Sequence, residues 1–158
     1  MTAVWIGLDP GVRGAVCVLT EHGPTFFDTP TVTTKGTRQE YLTPQMAKIL
    51  APYRDREDVK AALEQGIAMP GQASSSTFST GLGNGIWQGI LAAYAIPYDL
   101  VRAQVWKKAM GLPPGADKDA SRALASRLFP AQEGWFARKK DADRAEAALM
   151  AEWRRRFR

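Results

Sequence analysis

The chain has 158 residues, 45% of them hydrophobic and 23% charged, which favours one soluble globular domain with a real core and leaves little room for a second folded domain. A single cysteine, Cys17, excludes an intramolecular disulfide and a cysteine-rich zinc site, and His22 is the only histidine, so polar chemistry falls to carboxylates, lysines and arginines. The net charge of +5 is uneven: residues 1–101 hold 7 basic and 9 acidic side chains and residues 102–158 hold 14 and 7, as expected if the last third faces a polyanion or forms a solvated basic face.

Ala3 to Leu8 is a short apolar run that stops at Asp9-Pro10-Gly11 and reads as a buried strand ending in a turn. Ala15 to Leu19 is a second such run, and Thr25 to Asp28 a third, together an antiparallel meander with Gly11 and Gly14 supplying positive φ in the first hairpin. Thr31 to Arg38 reads as polar loop. Tyr41 to Tyr53 has helical spacing, with Thr43 as cap and Pro44 as the first helical residue. Val59 to Leu63 is a further strand running into Glu64. Gly66 to Gly85, rich in Gly, Ser and Thr, reads as a mobile surface loop, and a helical pattern resumes over Ile86 to Ala95. Tyr98 to Val101 is the fifth strand. Helical patterns follow at Ala103 to Met110 and Lys118 to Phe129, and Asp143 to Trp153 is an alanine-rich helix. The order predicts one α/β domain over residues 1–158, a central mixed five-stranded sheet flanked by helices.

Four acidic residues stand apart by position. Asp9 ends the first strand, Glu64 ends the fourth, and Asp143 and Glu146 lie three apart, on one face of the last helix. Two carboxylates on one face repel, which the helix macrodipole offsets in part and a cation between them would offset further. If that helix end packs over the two strand ends, four carboxylates converge. Such a set suits Mg²⁺ or Mn²⁺ rather than zinc, and two ions about 3.5–4 Å apart can drive in-line attack on a phosphodiester without histidine or cysteine. Each carboxylate alone is also explained as a turn former or helix cap.

Gly7-Leu8-Asp9-Pro10-Gly11, followed by Gly14 and an apolar strand, resembles the opening of the RuvC-type Holliday junction resolvases. Leu63-Glu64-Gln65 resembles that family's second acidic motif, and Asp143-Arg144-Ala145-Glu146 with the apolar run to Ala151 its closing helix. Gly83 to Ala93, then Gln104-Val105, Gly111 and Lys118, is similar to the middle region, and the compact phage-encoded branch is the one most resembled. The resemblance implies an RNase H-like fold, a homodimer, branched DNA as partner, and Mg²⁺-dependent paired nicking of a four-way junction, with Mn²⁺ as substitute and 5′-phosphate and 3′-hydroxyl ends. It assigns catalytic and metal-binding roles to Asp9, Glu64, Asp143 and Glu146. Glu146 stands where the family usually has Asp, and Asp141 is a rival for Asp143, although five residues separate it from Glu146.

Lys107, Lys108 and Lys118 fall where the family carries DNA-contacting lysines, and Arg138, Lys139 and Lys140 precede the acidic helix as further phosphate contacts. Lys118 is the candidate to stabilise the attacking water or the charge on phosphorus. The family often has an aromatic wedge after the second motif, whereas this chain has Ile67 and Met69, with Phe78 as a substitute; packing beneath the loop is the alternative for the first two. Trp87 with Gly85, Gly89, Ala92 and Ala93 suggests a helix with close neighbours, which the resemblance makes the dimer face and an internal contact would explain equally, and Arg154 to Arg156 with Arg158 complement the last helix's dipole. The competing functions are another RNase H-like nuclease acting on flaps or RNA/DNA hybrids, and a non-catalytic junction-binding protein. No apolar run reaches the roughly 20 residues of a membrane span and no charged-then-apolar leader opens the sequence, so a cytoplasmic protein is expected, in the bacterial host if phage-encoded.

Overall fold

The computed structural model describes residues 2–157. Val4–Asp9 forms strand β1, in which period-2 alternation sends Ile6 and Leu8 into one core and Trp5 and Gly7 toward the other. Asp9, two residues past Gly7, belongs to the second face. Strand β2 (Ala15–Thr20) pairs antiparallel with β1 and β3 (Gly23–Asp28) antiparallel with β2. Strand β6 (Val59–Glu64) lies parallel on the other side of β1, with Gly7 opposite Ala62 and Leu8 opposite Leu63, and β7 (Tyr98–Val101) lies parallel to β6. The five-stranded sheet has the order β3-β2-β1-β6-β7, the mixed sheet expected from the element order.

Helices cover both faces. Helices α3 (Ala103–Ala109), α4 (Lys118–Leu128) and α5 (Ala142–Arg156) share a core with Ala15, Cys17 and Ala62, while α1 (Thr43–Leu50) and α2 (Ser74–Ala93) enclose the core of Ile6, Leu8, Val16 and Leu63 on the opposite face. The alanines of α5 have a physical use. A methyl group on Gly7 would lie 2.0 Å from the Ala147 carbonyl oxygen and 2.5 Å from the Ala151 amide nitrogen, so α5 rests backbone against backbone on β1. That contact sets the start of α5 over the end of β1.

Four local expectations are corrected. Residues 31–38 are not simple loop: β4 (Thr31–Thr33) and β5 (Gln39–Tyr41) form a small antiparallel hairpin. Most of the stretch 66–85 is helix, because α2 begins at Ser74 despite its serines and glycines. The packing of Tyr41 against Gly83, with its hydroxyl donating to the Ser79 carbonyl at 2.9 Å, overrides that low propensity. Thr43 lies inside α1 and caps nothing; Leu42 is the cap residue and makes no side-chain cap bond. Gly11 has the positive φ expected of the first turn (123°), but Gly14 is needed for space, since a Cβ there would lie 2.0 Å from the Asp9 carbonyl oxygen. Among the described residues no helix is long and apolar enough to cross a membrane.

Candidate active site

Asp9, Asp143 and Glu146 converge where β1 ends beneath the first turn of α5. Each offers one carboxylate oxygen within 4.8 Å of the others'. Asp9 and Glu146 are 7% and 4% exposed, and Asp9 Oδ2 is buried without a hydrogen-bond partner. Burial, then the charges of Glu64, Asp143 and Glu146, push the Asp9 carboxyl well above its ordinary pKa, with Lys118 opposing them. Among the described residues Asp9 itself has no cationic partner, whereas Lys107 and Lys118 pair with Glu146 and Asp143. The cluster's donors are all hard oxygens, so the residues fit a Mg²⁺- or Mn²⁺-type ion.

Glu64 stands beside this trio at the end of β6, on the same sheet face as Ala62. Its carboxylate accepts a 2.8 Å hydrogen bond from Trp106 Nε1, and its carbonyl accepts one of 2.8 Å from Asn84 Nδ2. Burial raises its pKa, the Trp106 bond lowers it, and the charge of Glu146 raises it again. Glu146 accepts bonds from Lys107 Nζ at 2.8 Å and Ser121 Oγ at 3.2 Å. Asp143 is paired with Lys118, whose pKa is pulled down by burial but raised overall by Asp143, Asp9 and Glu146. Two lysines expected as DNA contacts therefore have carboxylate partners inside the cluster.

The other candidates are placed as follows. Asp141 is 2% exposed and held by Arg138 (2.9 Å) and Arg144 (3.3 Å), so the rival to Asp143 is spent in an ion pair network. Bonds from Arg138, against the effect of burial, keep Asp141 below the usual carboxylate pKa. Lys108, Lys139 and Lys140 are exposed. Ile67, Met69 and Phe78 are 50%, 64% and 69% exposed, so the first two do not pack beneath the loop. Trp87 is fully buried in the core, whereas Gly85, Gly89, Ala92 and Ala93 lie on the outer side of α2. Arg155 and Arg156 pair with Glu152 and Arg154 with Asp99; Arg158 lies outside the described residues.

A cleft of about 1340 Å³ runs to the acidic cluster between α2 and the β4–β5 hairpin. Its lining includes Asp9, Asp143 and Lys118, the basic residues Arg13 and Arg38, and Ser75, Phe78 and Thr80 of α2. Trp106, Ser121 and Asn84 are the site residues that sequence reasoning missed. Each looks like an ordinary helix residue, and only the fold discloses what its polar atom meets.

The chain matches no family model. An 85-residue stretch is 34% identical to the chloroplastic Holliday junction resolvase MOC1 of Chlamydomonas reinhardtii, covering 54% of this chain and 10% of that protein. The chain thus spans no more than a small part of that relative's length. Among solved structures it is similar to T. thermophilus RuvC in complex with a Holliday junction substrate, with a TM-score of 0.64 at 15% identity over 98% of this chain and 96% of that one. A second Thermus thermophilus RuvC structure gives 0.53 at 12% identity, over 99% and 96% of the two chains. Sheet order, helices on both faces and this end-to-end superposition together establish that the chain has the fold of RuvC, an RNase H-like arrangement.

Proposed function

We propose that the chain is one nuclease domain that resolves four-way DNA junctions by divalent-ion-dependent hydrolysis of phosphodiesters, with Asp9, Glu64, Asp143 and Glu146 holding Mg²⁺ or, in its place, Mn²⁺. The observation that carries this reading is the convergence of three carboxylates, two of which line a cleft and one of which has a buried oxygen without a partner. The relative named as a Holliday junction resolvase and the RuvC fold support the choice of substrate. When bound, the ion supplies Lewis-acid stabilisation of charge on the phosphate and acidifies water.

The chain's own groups do the rest. Lys118 lines the cleft beside Asp143, and its ammonium can donate to a phosphate oxygen as charge builds there. Lys107 and Ser121 hold Glu146 in the DNA-free chain. Exposed Lys108, Lys139 and Lys140, with Arg138 beyond its bond to Asp141, present charge to the sugar–phosphate backbone. Met69 and Phe78, at the loop and the cleft rim, are the apolar groups available to unstack bases at the crossover. The outer side of α2, with Leu82, Gly85, Gly89, Ala92 and Ala93 exposed at helical spacing, is the face proposed for a homodimer. Its twofold axis would set two sites against two equivalent strands. The lone buried Cys17 suits work in a reducing cytoplasm.

The test is cleavage of a synthetic four-way junction, titrated with Mg²⁺ beside a linear duplex, a flap and an RNA/DNA hybrid. Paired symmetric nicks in the junction alone are expected, and Glu64→Gln should bind the junction normally but not cut it. Cutting of the flap or hybrid in preference moves the substrate assignment to those molecules, and undiminished cutting by Glu64→Gln rejects the metal mechanism.

A further inference from the structure

Trp106 is one of two fully buried tryptophans, each 0% exposed and each packed in one of the two cores. They differ at their single polar atom. Trp87 Nε1 has no hydrogen-bond partner, whereas Trp106 Nε1 donates to Glu64 Oε2 at 2.8 Å. The next residue, Lys107, sits with its ammonium 5.3 Å from the Trp106 ring centroid and donates to Glu146 Oε1. Helix α3 thus puts consecutive side chains onto two acidic residues that come from different elements, β6 and α5.

Glu64 needs such a hold more than its neighbours do. It is the acidic residue left outside the trio of close oxygens, it is only partly buried, and its side chain has three rotatable bonds. Asn84 fixes its carbonyl, but nothing on α2 is bonded to its carboxylate. A carboxylate free to turn would lose its rotamer freedom at the moment an ion binds. A carboxylate already held by a rigid, buried indole has lost that freedom on folding.

We propose that Trp106 is a positioning residue for the ion site: its indole N–H holds one oxygen of Glu64 and leaves the other directed to the cation. This rests on the acidic cluster being an ion site, as argued above. Groups that orient a metal-binding side chain in this way commonly change affinity by about 10–100-fold when removed. The lower end is expected here, about tenfold, because a single neutral donor is lost.

The test is direct Mn²⁺ binding to the DNA-free protein, read from the electron paramagnetic resonance of free Mn²⁺, so that no turnover is needed. Trp106→Phe keeps an aromatic ring and removes the donor. A second protein, with the sulfur isostere benzothienylalanine incorporated at position 106, keeps the full ring shape and removes only the N–H, and it decides the matter if Trp106→Phe fails to fold. Both should bind Mn²⁺ about tenfold more weakly with junction affinity in metal-free buffer unchanged, and Trp106→Phe should add nothing to Glu64→Gln in the double variant. Wild-type Mn²⁺ affinity in the isostere protein overturns the role of the N–H while leaving the ion site intact. A wild-type chain that binds no Mn²⁺ overturns both the ion site and this inference.

Discussion

Replacing Asp9 by Asn should make the metal-free protein more stable. In the wild type, one oxygen of a 7%-exposed carboxylate has no partner while three other carboxylates raise its pKa. An amide removes the charge and can donate to the oxygens of Asp143 or Glu146. Leaving a buried polar atom unpaired costs about 1–3 kcal/mol, so Asp9→Asn should gain that much at neutral pH. For a chain of this length it corresponds to roughly 2–12 °C in the unfolding midpoint. The pH dependence has a definite sign. An Asp whose pKa is raised by folding keeps its proton longer in the folded chain, so wild-type stability falls relative to the variant as pH rises from the unfolded value of about 3.9 to the folded one. The two proteins should unfold alike, as far as this group goes, near pH 3, diverge as pH rises above the unfolded value, and differ by a constant amount above the folded pKa. Thermal unfolding in a chelator across that range measures the gap, and adding Mg²⁺ should raise the midpoint of the wild type but not of Asp9→Asn. An Asp9→Asn protein equal to or weaker than wild type at neutral pH, with the same difference at pH 3, would refute the claim that the cluster is electrostatically strained.

Two further substitutions probe the frame that sets the site. Gly7→Ala places a methyl 2.0 Å from a carbonyl oxygen of α5, and pushing α5 off β1 should cost at least about 1–3 kcal/mol in chemical denaturation and reduce cleavage beyond what lost folding accounts for. Ala95, just after α2, has φ of 52°, so Ala95→Gly should raise stability by about 0.5–1 kcal/mol with cleavage unchanged.

The acidic site was legible in the sequence because its members stand at marked positions: Asp9 before Pro-Gly, Glu64 at the end of an apolar run, Asp143 and Glu146 one helical turn apart. Their nearness is then a matter of topology, since β1 and β6 are adjacent and parallel and a helix crosses the end of β1. The first half of α2 was not legible. Ser74 to Ser76, Gly81, Gly83 and Gly85 are weak helix formers, and the reasons for a helix there lie 20 to 40 residues away, in Glu64 and Tyr41. The β4–β5 hairpin was hidden likewise, because Thr31 to Tyr41 is polar and its strands have three residues each. Lysines posed a different problem. The family resemblance marks Lys107 and Lys118 as DNA contacts, but whether the ammonium turns outward to solvent or inward to carboxylate depends on where α3 and α4 dock.

That inward turn has a consequence for how the protein is made. Lys107 and Lys118 reach Glu146 and Asp143 from helices α3 and α4, so the counter-charge for the most crowded anions in the molecule is covalently tethered to it. A nascent chain therefore carries the neutralising groups for this corner in its own sequence, and the docking of α3 and α4 brings them to Glu146 and Asp143.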